Sequence, residues 1–158
     1  MSDLITTCLW FDTEGEEAAR FYCSVVPDSR ITGIDRYPEG GPRPAGTALT
    51  VNFELGGRPY VALNGGPEFR FTEAVSFQIA CADQDEVDHY WKALTDGGEE
   101  SMCGWLKDRY GLSWQIVPDG LSDLLGDPDP GRAGRAMASM MTMRRIDIAE
   151  VRRAADAG

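Results

Sequence analysis

Two stretches of the chain decide its fold: Gly57-Arg58-Pro59-Tyr60-Val61-Ala62-Leu63 and Gly111-Leu112-Ser113-Trp114-Gln115-Ile116-Val117. Each leaves a glycine turn and runs into a short strand rich in aromatic and branched residues. They lie 54 residues apart. A second correspondence lies upstream of each. Asp12 follows the strand-like run Ile5–Phe11 and opens a helical stretch, and Asp83 does the same after Ala74–Cys81, at an offset of 71. The same order of elements twice over is an internal duplication, and a repeat outranks any local motif.

Outward from these anchors, the first half reads as a strand over Ile5–Phe11, a helix over Glu14–Ser24 capped by Asp12 and Thr13, and a strand over Arg30–Tyr37. A loop with three prolines and three glycines covers Pro38–Gly46. A hairpin follows, Thr47–Leu55 with Arg58–Asn64 across Gly56-Gly57. After a connector carrying Phe69 and Phe71, the second half reads as a strand over Ala74–Cys81 and a helix over Asp83–Asp96. That helix places Val87, Tyr90, Trp91 and Leu94 on one face. Strands around Met102–Lys107 and Ser113–Val117 come next. Gly120–Gly134 is loop with a short helix, and Arg135–Met143 and Asp147–Ala155 are terminal helices. The predicted fold is α+β: paired βαβββ modules forming a curved eight-stranded half-barrel sheet, with helices outside and extra C-terminal helices. The chain is read as one domain, 1–158, with modules at 4–64 and 74–118 and a helical extension at 119–158.

Composition narrows the function. The net charge of −11 disfavours nucleic acid and anionic membranes as partners. No stretch approaches the roughly 20 apolar residues of a membrane span. The four cysteines have no CxxC spacing and Leu4–Phe11 is too short for a signal peptide, so reduced thiols in a cytoplasm are expected. The single histidine, His89, excludes a site built on two or three histidine ligands and reads as an exposed helix residue.

Strand parity then assigns faces. Val75, Phe77, Ile79 and Cys81 are expected against a helix, leaving Ser76, Gln78 and Ala80 on the concave side. Ile5, Leu9 and Phe11 are expected against the other helix, leaving Thr6, Cys8 and Trp10 on the concave side. Small and polar groups facing a shared cleft are the makeup of a small-molecule pocket. Cys103, Trp105 and Asp108 form a further cluster with two readings: a pocket thiol or acid beside an aromatic wall, or a packed strand with Asp108 holding the turn to Gly111. Asn64 with Gly65-Gly66 reads as a turn or as a close approach to a ligand. Phe69 and Phe71 suit either a pocket lining or a dimer contact. Met137, Met140, Met141 and Met143 crowd one helix and read as core.

The runs ALNGGPEF at Ala62–Phe69, FTEAVSF at Phe71–Phe77, CGWLKDRYGLSWQIVP at Cys103–Pro118 and MMTMRRIDI at Met140–Ile148 resemble the vicinal-oxygen-chelate superfamily of glyoxalases, extradiol dioxygenases and antibiotic-sequestering proteins. They resemble most its PhnB-like branch, which carries a 3-demethylubiquinone 3-methyltransferase name. No glycine-rich S-adenosylmethionine loop follows the first strand, so that name is not expected to be literal. The resemblance implies a homodimer. It also implies four metal-ligand positions, which by register fall at Thr6 (or Ile5), Val61, Ser76 and Gln115. None is a strong ligand, so no metal and no cofactor is expected. The expected function is metal-independent binding of a small molecule by Thr6, Trp10, Ser76, Gln78, Cys103, Trp105, Trp114 and Gln115. The alternative is a glyoxalase-type lyase, isomerase or dioxygenase whose metal is held at displaced positions by carboxylates such as Asp12, Glu54 and Asp108.

Overall fold

Glycines at the hairpin tip show how directly the sequence sets the first module. Gly56 and Gly57 take φ of 55° and 79°, the left-handed pair that a two-residue hairpin requires. They join β3 (Ala48–Leu55) to β4 (Arg58–Asn64) with Leu55 opposite Arg58. A computed structural model describes residues 4–158. Contacts divide it into two compact units meeting in sequence at Phe71 and Thr72.

In the first unit, β1 (Thr7–Phe11), α1 (Gly15–Val25) and β2 (Arg30–Arg36) precede the hairpin. The strands form one sheet in the order β1-β4-β3-β2, parallel only at β1·β4. Alternation places Leu9, Phe11, Val51, Phe53 and Ala62 in the core, and α1 buries Ala18, Ala19 and Tyr22. The first strand starts at Thr7, where pairing with Tyr60 begins. Ile5, expected in the core, is 84% exposed. The expected cap from Asp12 or Thr13 is also replaced. Gly15 N–H donates instead to Asn64 Oδ1 on β4, at 2.7 Å, while Asn64 Nδ2 donates to Ala48 O at 3.1 Å. Asn64 is therefore a buried staple between helix and sheet.

The second unit repeats the plan with β5 (Ser76–Cys81), α2 (Gln84–Thr95), β6 (Glu99–Glu100), β7 (Trp105–Lys107) and β8 (Ser113–Pro118), in the order β5-β8-β7-β6. The two parallel pairs coincide in register. Cys8 faces Val61 in one, and Gln78 faces Gln115 in the other, offsets of 70 and 54. Asp83 caps α2 through the Glu86 amide. The expected Met102–Lys107 strand is interrupted because Cys103 and Gly104 have φ of 59° and 83°. Their amides donate to Met143 O and Arg144 O, both at 2.8 Å.

Three helices follow: α3 (Leu121–Leu125), α4 (Pro130–Met140) and α5 (Ile148–Asp156). They enclose a cluster of Leu121, Leu124, Ala136, Ile146, Val151 and Ala155. The α4 helix begins five residues before the expected Arg135, because Asp129 caps it and Pro130 supplies a preset first-turn φ. Gln84 ties the tail to α2 through Ile146 O and the Ile148 amide. No described helix is long and apolar enough to cross a membrane.

All four cysteines are free thiols. Burial of Cys81, with Glu86 and Asp83 nearby, pushes its thiol up to about 11 from 9.0. Above pH 9 the unfolded chain loses this proton while the folded chain keeps it, so stability falls as pH rises toward 11. Cys81→Ala is expected to lessen the loss between pH 8 and 11 by about 2–3 kcal/mol, as read by denaturant unfolding. An unchanged slope refutes this.

Candidate functional site

The sheet of the second unit packs one face against α2, and among the described residues α2 is the helix with the main contacts to its strands. Leu106, Trp114 and Ile116 are buried on the α2 side. The opposite face is fixed by register, with Ser76 beside Ser113, Gln78 beside Gln115, Gln115 beside Trp105, and Ser113 beside Lys107. Side chains alternate along each strand, so these residues share that face. Gln115 Nε2 donates to Ser76 Oγ at 2.8 Å, and Gln78 Nε2 donates to Gln115 Oε1 at 3.2 Å. The three groups make one polar ridge.

At the β6–β7 end of this face lies a cleft of about 510 Å³, lined among others by Glu73, Glu99, Met102, Cys103, Trp105 and Lys107. Lys107 Nζ donates to Glu73 Oε1 at 2.6 Å. The Glu73 carboxylate beside it, with Glu99 further off, holds the Lys107 ammonium above its ordinary range, and Glu73 in turn is held below its own. Ser113 also lines the cleft, is 1% exposed, and its Oγ has no hydrogen-bond partner among the described residues. A buried hydroxyl of this kind costs stability until something pairs with it.

Five of the expected ligand residues lie on this face or its rim: Ser76, Gln78, Gln115 and Trp105 on the sheet, and Cys103 at the strained turn beside the cleft. Trp114 does not join them. It is 2% exposed on the α2 side, edge-on to Phe77, and its Nε1 donates to Asp108 Oδ2 at 2.8 Å. Adjacent strand residues cannot face one way, so placing Gln115 on this face excludes Trp114 from it and brings in Ser113. The same parity carried from β8 to β7 finds Lys107. Glu73, ahead of β5, has no such signal.

Thr6 and Trp10 belong to the first unit. Thr6 is exposed, just ahead of β1. Trp10 is half-buried, with Nε1 donating to Gly66 O at 2.9 Å and its ring edge-on to Phe69 at 4.9 Å. Those contacts hold the turn after β4.

The metal positions implied by the resemblance do not fit a divalent ion. Val61 has no donor atom, and Ser76 and Gln115 are neutral and bonded to each other. The displaced carboxylates are each engaged: Asp12 with Arg43, Glu54 with Arg30, and Asp108 in its own turn. Among the described residues, no three His, Cys, Asp or Glu side chains converge to hold a metal. His89 is exposed on α2.

The family model described as 3-demethylubiquinone-9 3-methyltransferase matches residues 3–117. Among solved structures, the PhnB protein from Bacillus cereus is 34% identical, with a TM-score of 0.69 over 73% of this chain and 99% of that one. Protein PA1353 from Pseudomonas aeruginosa is 19% identical, with a TM-score of 0.59 over 75% and 100%. The fosfomycin resistance protein FosX from Mesorhizobium loti is 14% identical, with a TM-score of 0.56 over 80% and 98%. The last two likenesses show the fold alone. No curated protein matches the chain.

Proposed function

We propose that this chain, which belongs to the 3-demethylubiquinone-9 3-methyltransferase family of PhnB-like, vicinal-oxygen-chelate proteins, is a small-molecule-binding protein that works without the superfamily's metal. Its ligand lies on the open face of the second sheet. The Ser76–Gln115–Gln78 ridge supplies hydrogen bonds and Trp105 supplies an aromatic wall. The observation that carries this reading is the cleft of about 510 Å³ beside β7, which Trp105 lines and which the ridge adjoins through Gln115, the ladder neighbour of Trp105; the volume suits a small organic molecule. Methyl transfer is not part of it, because Asp12 to Glu14 follow β1 where a glycine-rich cofactor loop would stand. The homodimer implied by the resemblance belongs to the same reading, and light scattering measures it. A cytoplasmic setting accords with four free thiols.

A thermal-shift screen of the full chain against a fragment library tests the function. A fragment at about 100 times its Kd adds about 2.7 kcal/mol, a rise of roughly 5–10 °C in a chain of this length. Gln115→Ala and Trp105→Ala are each expected to weaken that fragment about tenfold, the loss of a bond or contact made in a desolvated site. Shifts that survive both variants place the ligand elsewhere.

A further inference from the structure

We propose that the cleft takes a singly charged organic carboxylate, held by Lys107 Nζ and Ser113 Oγ, and that Glu73 occupies Lys107 alone until the ligand displaces it. This rests on the small-molecule reading above and names the ligand class.

The argument begins with the floor of the cleft. Ser113 and Lys107 are opposed across the β7·β8 ladder and share a face. One is a buried hydroxyl without a partner, and the other is an ammonium. Both donate hydrogen bonds, so together they call for an oxygen acceptor bearing negative charge. A cationic ligand would meet the Lys107 ammonium. A carboxylate already stands there, since Glu73 Oε1 accepts from Lys107 at 2.6 Å. That pair is held loosely. The Glu73 side chain is 61% exposed, sits ahead of β5, and forms an ion pair of the solvent-screened kind that contributes little. Exchange of this carboxylate for another therefore costs little, and a ligand carboxylate that reaches past the position of Glu73 gives the Ser113 hydroxyl its partner.

The walls limit the rest of the ligand. Glu99 lies opposite Lys107 in the β6·β7 pairing, and Glu100, which accepts from Trp91 Nε1 and pairs with Arg144, also lines the cleft, so a second negative charge on the ligand would face both. Trp105 and Met102 offer apolar surface around the cleft. The ligand class is thus an aryl or alkyl monocarboxylate, with its oxygens toward Lys107 and Ser113 and its hydrocarbon part toward Trp105.

Three probes of one shape test this on the full chain: phenylacetate, phenylacetamide and phenethylamine. Calorimetry gives Kd, and the Trp105 indole N–H resonance reports the place of binding. Phenylacetate is expected to bind tightest and to move Trp105. Lys107→Met is expected to weaken it at least about tenfold, and Ser113→Ala about fivefold with an unchanged or raised Tm. Glu73→Gln is expected to tighten it about threefold by removing the resident carboxylate, with phenylacetamide unaffected. If the amide or the amine binds as tightly as phenylacetate and moves Trp105, the carboxylate assignment is overturned while the small-molecule reading stands. If none of the three moves Trp105, the assignment is also overturned, and the fragment screen decides the broader reading separately. A Glu73→Gln chain that binds phenylacetate no better, or a Ser113→Ala chain that melts lower, overturns the displacement.

Discussion

Asp108→Ala is expected to lower the melting temperature by about 10–15 °C and to loosen the second unit first. Asp108 is 3% exposed, and its carboxylate completes the turn between β7 and β8. Oδ1 accepts from the Tyr110 amide at 2.8 Å and the Leu112 amide at 3.1 Å. Oδ2 accepts from Trp114 Nε1 at 2.8 Å. Truncation strands these donors in a region where water does not replace the carboxylate. At about 1–3 kcal/mol per stranded donor, the loss is about 4 kcal/mol, and a chain of this size loses about 2–4 °C per kcal/mol. Asp108→Asn is expected to cost about half as much. It retains an acceptor for the two amides but turns an N–H toward the indole N–H. Thermal unfolding, with hydrogen exchange at Leu112 and the Trp114 indole, checks both. A drop under 3 °C for the alanine variant would mean that the turn does not depend on the carboxylate.

Asn64→Ala is the counterpart in the first unit, with an expected cost of about 2–4 kcal/mol. Asn64 is 5% exposed. One amide side chain caps α1 through Gly15 and satisfies Ala48 O on β3. Alanine removes both bonds and leaves an N–H and a C=O buried. Asn64→Asp keeps the cap and adds a favourable charge at the helix start, but loses the donor to Ala48. It is therefore expected to recover only part of the loss. Exchange at the Gly15 amide separates the two: fast in the alanine variant, protected in the aspartate variant. Equal protection in both would show that the cap is not what Asn64 contributes.

The duplication was legible because it rests on residue types whose local physics survives any tertiary setting. Gly56-Gly57 demands its tight hairpin, Asp83 caps its helix, and the parity of Ala74–Cys81 buries Cys81 and exposes Gln78 and Ala80, while Val75, expected against a helix, lies ahead of β5 and is 62% exposed. What escaped depends on partners distant in sequence. The α1 cap comes from Asn64, 49 residues away, rather than from Asp12. Cys103 leaves the expected strand because Met143 and Arg144 hold its turn. The Trp114 assignment is a different kind of miss. Parity along β8 separates Trp114 from Gln115 and brings in Ser113. Pro130 after Asp129 was likewise a readable helix start. Nothing local marks Glu73, whose role depends on where Lys107 reaches.

The paired left-handed turn at Cys103-Gly104 has a consequence for how this protein can change over time. A non-glycine residue at φ of 59° is held against its own preference, and what holds it is the carbonyl of Met143, with Arg144 doing the same for Gly104. Those carbonyls belong to a tail beyond residue 117, where the family model ends. The rim of the cleft is thus splinted by a part of the chain that the family model does not include. Substitutions around Met143 and Arg144 can therefore reshape the rim of the cleft without altering any residue that lines it.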